Sequence, residues 1–455
     1  MKKPPSAVPG ITASLARELT ARRDRELPEA VIAHAKTHFL NALALAVSAA
    51  GQAPVQDAVK LGRLVGGPGT CPVPGRIERL DLPSAALAIG IAAHVDDFDD
   101  THLATVIHPS AATLATVLPL ALSVQASGAA ALAAFTWGCE VQLRVGLAMS
   151  PSHYDAGWHI TGTAGVIGAA AAAGLLLGLD ERALASALAI AASSTVGQRE
   201  GFGTMTKALH AGKAAGNGLF AALLARDGFT GPHDALEAPR GYFHVLAAES
   251  DDRIVMRGLG ETWHLFDNAV KPYPCGIVAH PVIDAGRALR ARGTNVRRVR
   301  RLLVHCNPLV PDLMGILDPE DGLQARFSAI HGLAVGLLDD TVALASYTDE
   351  RVRRKDVIDI RSRTELVPAP SCARDAVSVT AELDDGSSVT VDIDHARGSL
   401  DRPLTSDEVR AKVDALLEPV LSGRGADVVA AVAEITTSPD LRRLAAAMVP
   451  EGSAA

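Results

Sequence analysis

Thr161-Gly-Thr-Ala-Gly-Val-Ile-Gly-Ala-Ala-Ala-Ala-Ala-Gly-Leu-Leu-Leu-Gly-Leu179 is the stretch on which the architecture turns. It carries no charge and is about as long as a bilayer crossing requires. Yet it is mostly Ala, Gly and Thr, with few of the large apolar residues that drive membrane insertion. His159 stands just before it and Asp180-Glu181-Arg182 just after it. It therefore reads as a helix buried in protein, packed closely against its neighbours through small side chains.

The composition around it agrees. Hydrophobic residues make up 48% of the 455-residue chain, charged residues 21% and aromatic residues 4%. That favours a large core of closely packed small-residue helices over an aromatic-rich sandwich, with length for two or three domains. Residues 12 to about 265 show helical spacing of apolar residues, broken by turn signals at Leu27-Pro28, Gly178-Leu179-Asp180 and Gly228-Phe229-Thr230-Gly231-Pro232. Pro119 lies inside a helical run and is expected to kink it.

The pattern changes after Lys271. Val296 to Cys306 alternates basic and apolar residues, as a strand does, and Ala325 to Asp339 is helical again. Ala376–Leu383 and Ser388–Ile393 flank Asp384-Asp385-Gly386, a hairpin signal. Ser406–Leu421 and Ala426–Met448 return to helix, and the first nine and last six residues read as loose ends. The expected fold is mainly α. A large all-helical domain covers 1–269, a smaller α+β lid domain covers 270–398, and 399–455 packs back on the first.

Several function classes are excluded. A net charge of −8 and the lack of an aromatic-plus-basic platform argue against nucleic acid as a partner. The basic run Arg290–Arg301 reads as a loop and the wet face of a strand. Cys71, Cys139, Cys275, Cys306 and Cys372 are scattered, with no C-x-x-C pair, so neither a zinc site nor a disulfide framework follows. With no secretory leader pattern, the expectation is a reducing cytoplasm and no membrane partner.

Four segments place ionisable residues beside apolar helices. The first is His94-Val-Asp-Asp-Phe-Asp-Asp-Thr-His102, followed by His108-Pro-Ser. A helix from Pro83 runs into these aspartates and another starts at Pro109, so His108 stands at a helix N-terminus, where anions are favoured. The second, Gly157-Trp-His159-Ile-Thr-Gly-Thr163, sets another His at a helix start. The third, Gly203-Thr-Met-Thr-Lys207-Ala-Leu-His210-Ala-Gly-Lys213, carries isolated cations. The fourth, Lys271-Pro-Tyr-Pro-Cys-Gly-Ile-Val-Ala-His280, lies at the domain junction. A single His beside an apolar helix is ordinarily a satisfied core or cap residue, and a single Lys an exposed one. Four such segments together are a different matter, because buried ionisable groups are costly unless they pair or bind a ligand.

Two rival readings concern the aspartates. Asp96-Asp97-Phe98-Asp99-Asp100 fits the D-D-x-x-D pattern of helical isoprenoid synthases, which hold diphosphate through Mg²⁺. That chemistry uses a second aspartate-rich helix, whereas Asp251-Asp252 and Asp339-Asp340 stand alone. A metal hydrolase built on His94, Asp97, His102 and His108 is the other rival.

Taken in order, the segments resemble the MmgE/PrpD family, which includes 2-methylcitrate dehydratase, cis-aconitate decarboxylase and iminodisuccinate epimerase. The matching stretches are His-x-x-Asp-Phe-Asp-Asp-Thr (94–101), His-Pro-Ser (108–110), Gly-Trp-His-x-Thr-Gly-Thr-Ala-Gly (157–165) and Gly-Thr-Met-Thr-Lys-x-Leu-His-Ala-Gly (203–212). Gly-Phe-Thr-Gly-Pro (228–232), Lys-Pro-Tyr-Pro-Cys (271–275), Arg326-Phe-Ser and Arg397-Gly-Ser also match. The resemblance implies a helical domain and an α+β lid with the site between them, homodimers, and no metal or organic cofactor. Its active-site positions fall on Asp97, Thr101, His108, His159, Lys207 and Lys271. Asp97, His108, His159 and Lys207 are the catalytic candidates. Thr101, Lys271, His102 and His280 are the candidates for binding substrate. The decarboxylase branch carries a His five residues after the lysine matching Lys271, where this chain has Gly276.

The chemistry so implied is a carbanion formed next to a carboxylate. Lys207 and Lys271 would stabilise the charge, with His159 or Asp97 as base and His108 as carboxylate binder or acid. The expected activity is a lyase that dehydrates a citrate-like hydroxy-polycarboxylate. The alternatives are epimerisation of a dicarboxylate, decarboxylation, and anion binding without catalysis.

Overall fold

The computed structural model describes residues 10–451; of the loose ends expected at 1–9 and 450–455, residues 1–9 and 452–455 lie outside them. The helices of the first part are α1 (Ile11–Arg22), α2 (Glu29–Ser48), α3 (Ala53–Val65), α4 (Leu82–His94), α5 (Pro109–Ser123), α6 (Gly128–Met149), the one-turn α7 (Ser152–Asp155), α8 (Ile160–Leu176), α9 (Glu181–Ala192), α10 (Met205–Arg226) and the short α11 (Tyr242–Leu246).

The 161–179 stretch behaves as its composition dictates. Every residue of α8 from Ile160 to Leu175 is buried. Helices α6 and α10 pack against it, and glycine makes the close approach possible. A β-carbon at Gly168 would come within 2.4 Å of the Gly138 carbonyl oxygen on α6. One at Gly218 of α10 would lie 2.5 Å from Ala169 Cβ and 2.8 Å from Val166 O. Helix α10 meets α4 the same way, since a β-carbon at Gly90 would lie 2.6 Å from Gly212 Cα. These contacts explain how a core with so few aromatic residues is filled: backbones approach where side chains would otherwise stand.

Local signals set the helix ends. Asp81 Oδ1 caps α4 by accepting from Ser84 N at 3.2 Å, with Pro83 in the first turn. Pro109 opens α5, and Pro119 lies within that helix. Helix α2, extended by its last turn to Gly51, is long and apolar enough to cross a membrane. Here it is a core helix, with Phe39, Leu43 and Val47 fully buried and α4 and residues 406–421 packed on it.

The first part is not purely helical. Cys71–Pro72 (β1) pairs with Arg79–Leu80 (β2), and Thr101–His102 (β3) pairs with Asn268–Ala269 (β4), both antiparallel. Elements of two residues leave no periodicity to read, so the all-helical expectation is corrected here. The β3–β4 pair matters most, because it brings the chain entering Lys271 against the aspartate loop.

Beyond Lys271 a second hydrophobic core forms, running from Tyr273 to Val391. Its sheet has the order β6 (Thr364–Pro368), β5 (Val299–Cys306), β7 (Val377–Leu383), β8 (Ser388–Ile393). The β5–β6 pair is parallel and the others antiparallel. The expected strand from Val296 begins at Val299, after one 3₁₀ turn. Helices α12 (His280–Ala291), α13 (Leu309–Leu313), α14 (Gly322–Ala325), α15 (Ala329–Leu338), α16 (Asp349–Val352) and α17 (Lys355–Ser362) complete this part. The chain then returns. Helices α18 (Ser406–Leu421), α19 (Gly425–Ala433) and α20 (Arg442–Ala447) contribute Val413, Leu417, Val428 and Leu444 to the first core. The single helix expected over 426–448 is interrupted by a 3₁₀ turn at Ile435–Thr437.

Packing this close makes a direct prediction. Gly218→Leu should destabilise the protein by about 1–3 kcal/mol or more through overpacking, whereas Gly67→Ala, with open space around it, should stay within about 0.5 kcal/mol. Equal urea midpoints for the two variants would contradict the glycine-mediated crossing.

Candidate active site

Two histidines mark helix starts. His108 is the N-cap of α5 and His159 the N-cap of α8, and neither side chain bonds its own helix end. Both imidazoles are therefore available for other contacts. Between them runs the loop after α4, where Asp97 adopts φ +48°, a left-handed conformation uncommon for a residue with a β-carbon.

The Asp97 carboxylate is the centre of the site. Its Oδ1 accepts from Lys271 Nζ at 2.6 Å and lies 3.2 Å from Lys207 Nζ and 3.7 Å from His108 Nε2. Lys271 also donates to the Asp97 carbonyl oxygen at 2.9 Å. All four residues are at least nine-tenths buried. Burial alone would raise the pKa of the Asp97 carboxyl. Lys207 and then Lys271 overcome that and hold it well below the usual carboxylate range. Removing such a carboxylate would leave two buried ammonium groups uncompensated, a loss on the order of 3–5 kcal/mol.

The imidazoles are held neutral. Burial first, and Lys207 second, push His159 well below its ordinary value. Its Nδ1 is bonded to His210 Nδ1 at 2.9 Å, and the Phe202 ring packs on it edge-to-face at 5.0 Å. His108 is lowered chiefly by burial, with Asp99 opposing. Its Nδ1 lies 3.2 Å from both Thr101 Oγ1 and Asp99 Oδ1, which fixes the ring and turns Nε2 toward Asp97. His94, lowered to about 4 by burial, bonds Asp99 Oδ2 through Nδ1 at 2.8 Å.

Each aspartate of the cluster has its own partner. Asp96 accepts from Arg326 at 2.7 Å and from Gln52 at 2.9 Å. Asp99 orients His94 and His108. Asp100 accepts from His38 Nδ1 at 2.5 Å, from Asn268 Nδ2 at 2.6 Å and from the Ser110 hydroxyl. The carboxylates point to separate partners, so they do not form the shared face that Mg²⁺-diphosphate binding requires. His94, Asp99 and His108 do stand close enough to ligate an ion. The ammonium groups of Lys207 and Lys271 beside them disfavour a divalent cation there.

The site is closed. Asp97, Thr101, His108, His159 and Lys207 line a cavity of about 40 Å³, together with Tyr154, Phe202, Phe327, Gly276 and Met314. At roughly 10–15 Å³ for each water position, that holds a few waters. An outer chamber of about 810 Å³ adjoins it, and Phe202, Leu313 and Phe327 line both spaces. Phe202 and Phe327, from opposite sides, stand 5.2 Å apart as a partition, with the Lys207 ammonium 5.6 and 5.4 Å from their centres.

Of the eight candidate residues, Asp97, Thr101, His108, His159 and Lys207 reach the cavity wall, and Lys271 joins them through Asp97. The other two face elsewhere. His102 bonds Thr105 Oγ1 at 2.9 Å and groups with His264 and Asp267. His280 bonds the Cys275 carbonyl at 3.3 Å and packs on Tyr273. Both follow their motifs closely in sequence, but the backbone turns them aside. Tyr154 and Phe202 carry no local pattern that marks them, and Phe327 is marked only through the Arg326-Phe-Ser stretch. His210 could have been found from its position three residues after Lys207, on the same helical face. Lys412 on α18 is a further bracing group. It donates to the Phe98 and Lys271 carbonyls at 2.8 and 2.9 Å and lies 3.7 Å from the centre of the Phe98 ring.

Residues 13–254 match the model of the MmgE/PrpD N-terminal domain, and residues 273–436 match that of the C-terminal domain. The chain belongs to the MmgE/PrpD family. Among curated relatives, the cis-aconitate decarboxylase of Mus musculus is 28% identical over 88% of this chain and 86% of its own length. That of Homo sapiens is 31% identical over 76% of this chain and 74% of its own. One from Aspergillus terreus is 27% identical over 90% of this chain and 89% of its own. These relatives are lyases. Against this family background, Gly276 gains meaning. It lines the cavity, and a β-carbon there would lie 2.3 Å from Met314 Sδ, so Met314 fills the space a larger side chain would need.

The neutral histidines predict a pH dependence of stability. His34, His94, His102, His153, His210 and His331 are each pushed by burial to about 4, below their ordinary 6.5. Such groups take up protons on unfolding, so their contribution is present above about pH 6.5 and is lost as pH falls toward 4. The melting temperature should fall steadily from pH 6.5 to 4.5. A flat profile over pH 7.5–5 would contradict this assignment.

Proposed function

We propose that this family member is a cofactor-free lyase that dehydrates a citrate-like hydroxy-polycarboxylate through a carbanion next to a carboxylate. The observation that carries the reading is the meeting of two buried ammonium groups, Lys207 and Lys271, on one carboxylate beside a neutral His159. Removing a proton beside a carboxylate puts charge on its oxygens, and fixed cations in a dry site stabilise that charge as it develops. A base must be unprotonated and still basic. The Asp97 carboxylate is engaged by two lysines, so His159, on the cavity wall, takes the proton. His108, which takes up a proton as the anionic substrate binds beside it, delivers that proton from Nε2 to the departing hydroxyl, which leaves as water, and the proton on His159 returns to solvent. Tyr154, on the cavity wall, can hydrogen-bond the substrate.

Decarboxylation is the second reading, supported by the names of the curated relatives. The same lysines would serve it. Gly276, with Met314 against it, supplies no imidazole where the decarboxylase branch has one, and this favours dehydration. The smaller part is proposed to act as a lid, since its Phe327 and Met314 close a cavity too small for a six-carbon acid. A cytoplasmic homodimer is also proposed. Met205, Leu209, Phe220 and Leu224 expose an apolar stripe along α10 suited to a second copy. Phe220→Glu should then convert a dimer to a monomer by light scattering, and an unchanged mass would exclude that face.

Purified protein offered hydroxy-tricarboxylates should develop alkene absorbance without added metal, and turnover should survive exhaustive chelation. Lys207→Ala and His159→Ala should each lose at least about 100-fold in kcat with the fold intact. Carbon dioxide release without alkene-forming loss of water would favour decarboxylation. Near-normal rates in both variants would remove these residues from the mechanism.

A further inference from the structure

The outer chamber holds an arginine that the closed site does not use. Arg199 lies on the turn before α10, and its side chain is 17% exposed. Its guanidinium stacks 4.3 Å above the Tyr154 ring, and Nη1 donates to the Tyr154 carbonyl at 3.2 Å. Its backbone N–H donates to Gly157 O at 2.9 Å. These contacts fix the group on the larger part, behind one of the cavity's own walls. Its Nε is buried without a partner. Its carboxylate partner, Asp312 at 2.6 Å, comes from α13 on the smaller part and is 55% exposed.

The geometry points to a second anion site, an outer carboxylate site at Arg199 that takes one carboxylate of an incoming polycarboxylate when Asp312 gives it up. This rests on the polycarboxylate reading above. The inner cavity is too small to receive such an acid unless the partition of Phe202 and Phe327 opens. Leu313 and Met314 of the cavity wall directly follow Asp312, so motion of this segment that widens the cavity also withdraws the Asp312 carboxylate. The guanidinium, held by Tyr154 while Gly157 fixes the backbone behind it, stays in place with Nη2 and Nε free for a carboxylate. Glu200 at the chamber rim is exposed, and among the described residues the guanidinium pairs with Asp312. Closure with bound acid then exchanges one carboxylate for another at the same cation, so substrate competes with the lid's own anion.

The test uses equilibrium binding of tricarballylate, a tricarboxylate with no hydroxyl to lose, by calorimetry. Arg199→Gln should weaken binding at least about tenfold, and Arg199→Lys should restore part of it. Asp312→Asn should tighten binding about threefold or more, because the competing anion is gone. Damage to the fold would not do that. Lys207→Gln is the reference for the inner site. If Lys207→Gln loses binding while Arg199→Gln stays within twofold of the parent, the outer site is wrong and the proposed function stands. Binding that is unchanged or weaker in Asp312→Asn also overturns the outer site. Absence of tricarballylate binding to the parent protein overturns both readings.

Discussion

One carboxylate holding two ammonium groups organises this molecule. Asp97 comes from the loop after α4, Lys207 from the start of α10, and Lys271 from the chain leaving the first part for the second. None of these charges is tolerable alone at such depth. Their mutual neutralisation therefore positions three distant segments at once, and the histidines between them remain uncharged. The left-handed turn at Asp97 is the local cost of this arrangement. The closely packed glycine crossings of α4, α8 and α10 keep the contributing backbones near enough for ordinary side chains to span the gap.

Much of this was legible in the chain. Helix boundaries at Pro83 and Pro109, and the hairpin at Asp384-Asp385-Gly386, rest on local chemistry that sequence reports directly. The catalytic candidates were legible because ionisable residues beside apolar helices are expensive and must be compensated. Direction was not legible. His102 and His280 sit in the right motifs, but backbone geometry turns their rings toward Thr105 and the Cys275 carbonyl. Long-range partners were equally hidden. Nothing near Tyr154 or Lys412 in sequence marks them as neighbours of Asp97.

The run of aspartates shows how one motif divides its labour. Asp96 reaches to Arg326 in the smaller part, Asp97 gathers the lysines, Asp99 sets two imidazoles, and Asp100 ties the loop to α2 and β4. Four adjacent like charges would repel if they shared a direction. Alternating partners on opposite sides of the loop removes that penalty. It also ties the loop to the smaller part through Arg326 and to the chain entering it through Lys271.

Lys412 adds a constraint in time. It is the group that joins the Phe98 and Lys271 carbonyls, and it lies more than 140 residues beyond the lysine it braces. A chain growing from its N-terminus on the ribosome completes Asp97, His159 and Lys207 long before this brace exists. The nascent protein thus carries its buried charges without the clasp that aligns them. Assembly of this wall of the cavity is deferred to the end of translation, and a product truncated before α18 would be left with those carbonyls unclaimed.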